Sequence, residues 1–73
     1  MGQVKIECIL AQVMREKGVN DIWLRNRTGI SVSYITLWKS PLYKHRTPSN
    51  YEDMAKIALA LDVNVDYIWR LEI

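Results

Sequence analysis

What the 73-residue chain has little of narrows it first. It holds one cysteine, Cys8, so no internal disulfide can brace it, and a lone thiol on a helical stretch reads as a small buried apolar group. Its one histidine, His45, stands far in sequence from Cys8, too few ligands for a metal site. One Cys, one His and scattered carboxylates supply no nucleophile and base constellation. A non-enzyme with no cofactor and no small-molecule substrate is therefore expected. No apolar run approaches the length of a membrane span, and MGQVKIECIL lacks the basic start and long apolar stretch of a secretory leader, so a cytoplasmic protein is expected. Gly2 follows Met1, but acylation needs Ser or Thr where Ile6 stands.

Acid is also missing, from one region only. Residues 22 to 51 carry Arg25, Arg27, Lys39, Lys44 and Arg46 with no acidic residue, net +5, and His45 can add to it. Residues 1 to 21 balance to zero and residues 52 to 73 carry net −3, which leaves +2 for the chain. A charge run is usually a solvated face, yet this one coincides with a structural motif, and together they point to a polyanionic partner. Chain length allows one small domain over residues 1–73, which buries about 60% of the surface its unfolded chain exposes. Its core must be compact and well filled.

The motif lies in VNDIWLRNRTGISVSYITLWK, residues 19 to 39. Asn20 is a good N-cap for a helix over about 21–27, Gly29 supplies a left-handed end, and Ser31 caps a second helix over about 32–39. Leu24, Ile30, Ile35 and Trp38 turn one face of each helix toward the other. Val32, Ser33, Thr36 and Leu37 fall on the opposite face of the second helix. A helix pair closed by a Gly-containing turn is the helix-turn-helix arrangement, whose second helix enters the DNA major groove, although Gly turns also join helices that merely pack.

Around this motif the spacing predicts three more helices. Residues 4 to 17 place Ile6, Ile9, Leu10, Val13 and Met14 on one helical face, and Gly18 ends it. Pro41 stops the motif's second helix and opens the loop PLYKHRT, where Tyr43, Lys44, His45, Arg46 and Thr47 gather cationic and hydroxyl donors suited to phosphate oxygens. Ser49 to Glu52 reads as a capping box opening a helix with a buried stripe of Met54, Ile57, Ala58 and Leu61. Asp62 and Asn64 mark a turn to a fifth helix over about 65–71. Its apolar residues exceed one face, so Ile68, Trp69, Leu71 and Ile73 are candidate dimer contacts, with Trp69 as a core plug the competing reading. Tyr34 and Trp23 likewise have two readings, a phosphate contact or a shielded junction against simple packing.

The order of these elements resembles the lambda-repressor and Cro-like family of helix-turn-helix DNA-binding domains. Carrying the resemblance are Leu24, Thr28-Gly29-Ile30-Ser31, Ile35 and Trp38 in the motif, Pro48-Ser49, the run Met54 to Val63, and Tyr67-Ile68. It covers roughly residues 6 to 70 and implies an all-α, compact five-helix domain with a central helix-turn-helix at about 20–39. By position, Val32, Ser33 and Leu37 would meet bases, with Ser31, Tyr34, Thr36 and Lys39 near the strands. The loop residues Tyr43, Lys44, His45 and Arg46 and the start of the fourth helix would grip the backbone. Four positions depart from the family pattern. Asp21 brings a negative charge to a backbone-facing helix start. Arg25 replaces a small residue, so that the helices splay or the Arg snorkels outward. Met14 and Lys39 replace an Arg–Glu pair and leave Lys39 free for a phosphate.

Val32 and Leu37 can touch thymine methyl groups but make no bidentate hydrogen bonds. Either specificity is then modest, or it rests on Ser33, water and DNA shape. The resemblance implies a sequence-specific double-stranded DNA-binding regulator, a phage or prophage repressor occupying a two-fold operator as a homodimer, formed in solution or only on DNA. Its setting would be the cytoplasm of a bacterial or phage-infected cell. A rival of another class is a protein-interaction module that docks a partner on the apolar side of the third helix through Val32, Tyr34 and Leu37.

Overall fold

The structure, a computed structural model, describes residues 5–72. Their order is β1 (Lys5–Cys8), α1 (Leu10–Lys17), α2 (Asp21–Thr28), α3 (Val32–Lys39), a 3₁₀ turn at Pro41–Tyr43, α4 (Tyr51–Ala60), α5 (Val65–Ile68) and β2 (Trp69–Glu72). The described residues are mostly helical but not purely α, because β1 and β2 form a two-stranded antiparallel sheet.

The helix pair forms where local signals agree. Asn20 Oδ1 accepts from the Trp23 N–H at 2.8 Å and Ser31 Oγ from the Tyr34 N–H at 3.3 Å, so each helix starts with a donor satisfied. Gly29 takes φ 76°, and its N–H reaches the Arg25 carbonyl at 2.8 Å. Thr28 ties the turn from inside: its Oγ1 donates to the Leu24 carbonyl and accepts from the Ile30 N–H. Arg25 is exposed and donates to the Asn26 side chain, the snorkelled outcome. Leu24 and Ile35 are fully buried and Trp38 nearly so, which places the facing sides of the pair in the core.

The core is completed by Leu10, Val13 and Met14 of α1 and by Met54, Ile57 and Ala58 of α4, with Leu61 just beyond it. The α4 stripe is as expected, but its cap is not Ser49. Asn50 holds the N-cap position and accepts from the Glu52 N–H at 2.9 Å, one residue later than the capping-box reading. Asp62 ends this helix in the left-handed region at φ 58°, and the next amide, Val63 N–H, reaches back to the Ala58 carbonyl at 3.0 Å. An Asp tolerates that conformation better than most residues that carry a Cβ.

Both chain ends depart from the all-helical expectation. Residues 5–8 are a strand, and α1 begins only at Leu10. The fifth helix is a single turn ending at Ile68, after which Trp69–Glu72 is extended. The pairing Lys5↔Glu72, Ile6↔Leu71, Glu7↔Arg70 and Cys8↔Trp69 explains why. It sets Ile6, Cys8, Trp69 and Leu71 on one face of the ribbon and the charged positions on the other, a period of two that only a strand can divide this way. Cys8 is thus a half-buried strand residue whose thiol donates to the Trp38 carbonyl at 3.4 Å. Burial, against a smaller opposing effect of a backbone hydrogen bond at Leu10, pushes that thiol's pKa up, which keeps it in the unreactive form.

The candidate dimer contacts are redistributed by the same change. Ile68 (0% exposed) and Trp69 (3%) belong to the core, Leu71 is open to solvent, and Ile73 lies outside the described residues.

Candidate nucleic-acid interface

The candidate base and backbone contacts on α3 divide by side. Ser31, Ser33 and Thr36 are exposed on α3, whereas Val32, Tyr34 and Leu37 are half-buried, and Tyr34 and Leu37 pack against the core. Helical geometry sets this, since positions 34 and 37 adjoin the buried Ile35 and Trp38 around the helix. What α3 offers outward is therefore mainly a row of hydroxyls. Tyr34 and Tyr43 both meet Trp38 edge-on, at centroid distances of 6.1 and 5.3 Å, so packing governs where both rings lie. Trp23 is half-buried against the core, with the Arg27 guanidinium over its ring at 4.8 Å.

Asp21 behaves differently from a bare charge at a helix start. Its Oδ2 accepts from Thr36 Oγ1 at 2.8 Å and its Oδ1 from Lys39 Nζ at 2.6 Å, binding the first turn of α2 to the second half of α3. Burial raises the carboxyl's pKa, but the hydrogen bonds from Lys39 and Thr36 and the Lys39 charge outweigh it. The group titrates below the ordinary carboxylate value. Lys39 is consequently not free, contrary to the expectation from the exchanged Met14 and Lys39 positions; a phosphate must compete with Asp21 for it.

The loop after α3 is sewn to β1. The Cys8 N–H reaches the Lys44 carbonyl at 2.6 Å, the His45 ring Nδ1 donates to the Ile6 carbonyl at 2.9 Å, and Lys44 Nζ pairs with Glu7 at 3.2 Å. These contacts hold a segment that has only a 3₁₀ turn of its own. Lys44, His45 and Arg46 are exposed, and Arg46 lies over the Tyr43 ring at 5.7 Å. No side-chain acid pairs with Arg46 among the described residues, which leaves its five donors directed by Tyr43 alone.

The basic stretch of the sequence is not one patch in space. Arg27 lies with Lys56 beside a shallow surface pocket formed by α2 and α4, away from the loop. In compensation, α1 supplies a cation that lies outside the acid-free block. Arg15 lines a cleft of about 500 Å³ together with Lys39, Ser40 and Lys44. Nothing in the linear order signals this, because it depends on α1 packing across α3. The start of α4 fits an anion poorly, since its first turn carries Glu52 and Asp53 and only Glu52 is paired, with Lys56.

Among the described residues no group of three or more His, Cys, Asp or Glu could hold a metal ion, and no helix is long and apolar enough to cross a membrane. The arrangement is a hydroxyl-bearing helix face, flanked at its C-terminal end by exposed cations on a tethered loop. No protein family, curated protein or solved structure matches this chain.

Proposed function

We propose that the chain is a sequence-specific double-stranded DNA-binding transcriptional regulator of the lambda-repressor and Cro-like kind. In this reading it is a phage or prophage repressor that acts as a dimer by occupying a two-fold operator. One observation carries the reading: Ser31, Ser33 and Thr36 form the exposed side of α3, and the exposed Lys44, His45 and Arg46 follow directly beyond it. Hydroxyls suit base edges and phosphates alike, and cations at the helix end suit the backbone that borders a groove. Two such helices would occupy major-groove half-sites about 34 Å apart.

The hydroxyl face predicts modest direct readout, because Ser and Thr accept or donate to several bases, with DNA shape supplying the remainder. Protein docking through the other side of α3 draws less support. Tyr34 and Leu37 spend much of their apolar surface on the core.

Fluorescence anisotropy of a labelled duplex across a salt series tests the proposal. Affinity should fall steeply with salt, and Lys44→Ala combined with Arg46→Ala should flatten the log–log slope by about two, close to one for each phosphate left without its cation. Absence of duplex binding even at low salt would overturn the proposal.

A further inference from the structure

Arg15 is exposed in the last turn of α1 and makes no ion pair or side-chain hydrogen bond among the described residues. With Lys39 and Lys44 it lines the cleft of about 500 Å³ between α1 and the segment that follows α3, a size that holds small molecules. One carboxylate, Glu7, shares the lining, so three cations against one acid leave this wall at net +2. Lys39 gives one of its three donors to Asp21 and Lys44 one to Glu7, while the Arg15 fork gives none. The cleft holds more positive charge than its own acids use.

The rest of the lining is of two kinds. Ser40 Oγ accepts from the Leu42 N–H at 3.3 Å, which leaves its hydroxyl proton free to donate. Gln12 precedes Arg15 by three residues and so shares its face of α1, and no side chain caps the start of that helix. Beside these donors lie apolar surfaces, Ile9 and Pro41 with the Cys8 side chain. A duplex phosphate would use the donors and leave the apolar wall bare. A small anion with an apolar body uses both.

We propose that this cleft binds a phosphate monoester with a compact apolar body, and that the bound ligand takes Lys39 and Lys44 away from DNA. The phosphate of such an ester is close to a dianion at neutral pH, which matches the net +2 of the wall. The planar Arg15 fork suits two of its oxygens at once, and the two ammonium groups supply point charges around the third. The competition with DNA rests on the operator reading. Binding of the ester does not, and it is measured without DNA.

The test is a nuclear magnetic resonance titration with phenyl phosphate at fixed ionic strength and about pH 7.5, above the second phosphate pKa, with inorganic phosphate and phenol in parallel. Phenyl phosphate should bind with a dissociation constant below about 1 mM and move the amides of Gln12, Ser40 and Leu42 first. Inorganic phosphate lacks the apolar body and phenol the charge, so each should bind about tenfold more weakly or worse. Arg15→Gln, a change at an exposed position whose fold circular dichroism verifies, should weaken phenyl phosphate by about tenfold or more. Arg27→Gln, in the separate basic pocket, should leave it unchanged. At roughly ten times its dissociation constant, phenyl phosphate should weaken duplex binding by about threefold or more in the anisotropy assay. Phenyl phosphate that does not bind overturns the proposal and leaves these cations to a duplex phosphate. Binding no tighter than that of inorganic phosphate, or untouched by Arg15→Gln, overturns it as well. Duplex affinity that the bound ester leaves unchanged overturns the competition. A chain that binds the ester as stated but no duplex at low salt keeps the site and removes only the operator reading.

Discussion

The α2–α3 pair and the β1–β2 ribbon are both small, yet they are held by opposite kinds of contact. In the pair, every cap and turn bond spans five residues or fewer, from Asn20 to Trp23, Arg25 to Gly29 and Ser31 to Tyr34, with Leu24 and Ile35 sealed between. In the ribbon, every stabilising contact joins distant parts of the chain: Ile6 to Leu71, Cys8 to Lys44, Ile9 to Ile68. The pair therefore has structure-forming tendencies of its own, whereas the ribbon exists only once the helices have brought the two ends together.

Removing the seal of the pair should have the largest effect. Leu24→Ala deletes a fully buried side chain between α2, α3 and α4 and should cost about 2–5 kcal/mol. A domain of this length has roughly 4–11 kcal/mol in total, so the urea midpoint should drop by about a fifth or more. Leu71→Ala, on the exposed ribbon edge, should stay within about 0.5 kcal/mol. Equal losses at the two positions would abolish the distinction between the regions.

Next in size are the left-handed positions, which isolate backbone strain from packing. A Cβ at Gly29 would meet no atom within 4 Å, so Gly29→Ala should lose about 1–2 kcal/mol through φ 76° alone. The reverse exchange, Asp62→Gly, relieves φ 58° at the end of α4 and should gain up to about 1 kcal/mol, although glycine's freer unfolded chain offsets part of it. Thermal unfolding of both variants checks the pair of signs.

The third effect is pH-dependent. Because the Asp21 carboxyl titrates below its ordinary value, the native state holds fewer protons than the unfolded one in that range, and stability rises with pH there. The contribution is complete above the unfolded carboxylate value of about 4 and fades as pH falls through the lower folded value. Asp21→Asn should thus cost about 1 kcal/mol or less at pH 7, with the gap to wild type closing below about pH 4. It also releases Lys39 and removes a negative charge beside α3, so duplex affinity should rise several-fold while stability falls. A gap that persists unchanged to pH 2 would mean that the carboxylate's charge is irrelevant and only the Thr36 bond matters.

The same contrast explains what can be read from the chain alone. Asn20, Gly29, Ser31 and Pro41 act on their own neighbourhood, so the motif's limits at Asp21–Thr28 and Val32–Lys39 are legible to within a residue. The ribbon is visible only as an ambiguity. Ile6, Ile9, Leu10, Val13 and Met14 satisfy a helical face, but Lys5–Cys8 and Trp69–Glu72 also alternate polar and apolar, and four residues cannot arbitrate between the periods. Pairing across more than sixty residues decides it. For the site, the exposure of Ser33, Lys44 and Arg46 is legible as placed, while the ties from Asp21 to Lys39 and from Glu7 to Lys44 need the fold before either pair can be seen.

The smallest effect bears on how the cationic loop is held. Lys44 and Glu7 are about half and a quarter exposed, so Glu7→Gln should change global stability by no more than about 0.5 kcal/mol, less in high salt. The loop should nevertheless stay in place, because the Cys8 N–H to Lys44 carbonyl bond and the His45 bond to Ile6 do not involve the carboxylate. Hydrogen exchange at the Cys8 amide reads this directly: protection unchanged in Glu7→Gln assigns the tether to those two bonds. A Lys44 ammonium released from Glu7 is then free for phosphate on an undisturbed loop, and the salt slope of duplex binding should steepen. Fast exchange at Cys8 would instead make the ion pair the tether. The ribbon and the cationic loop would then loosen together whenever Lys44 turned to DNA.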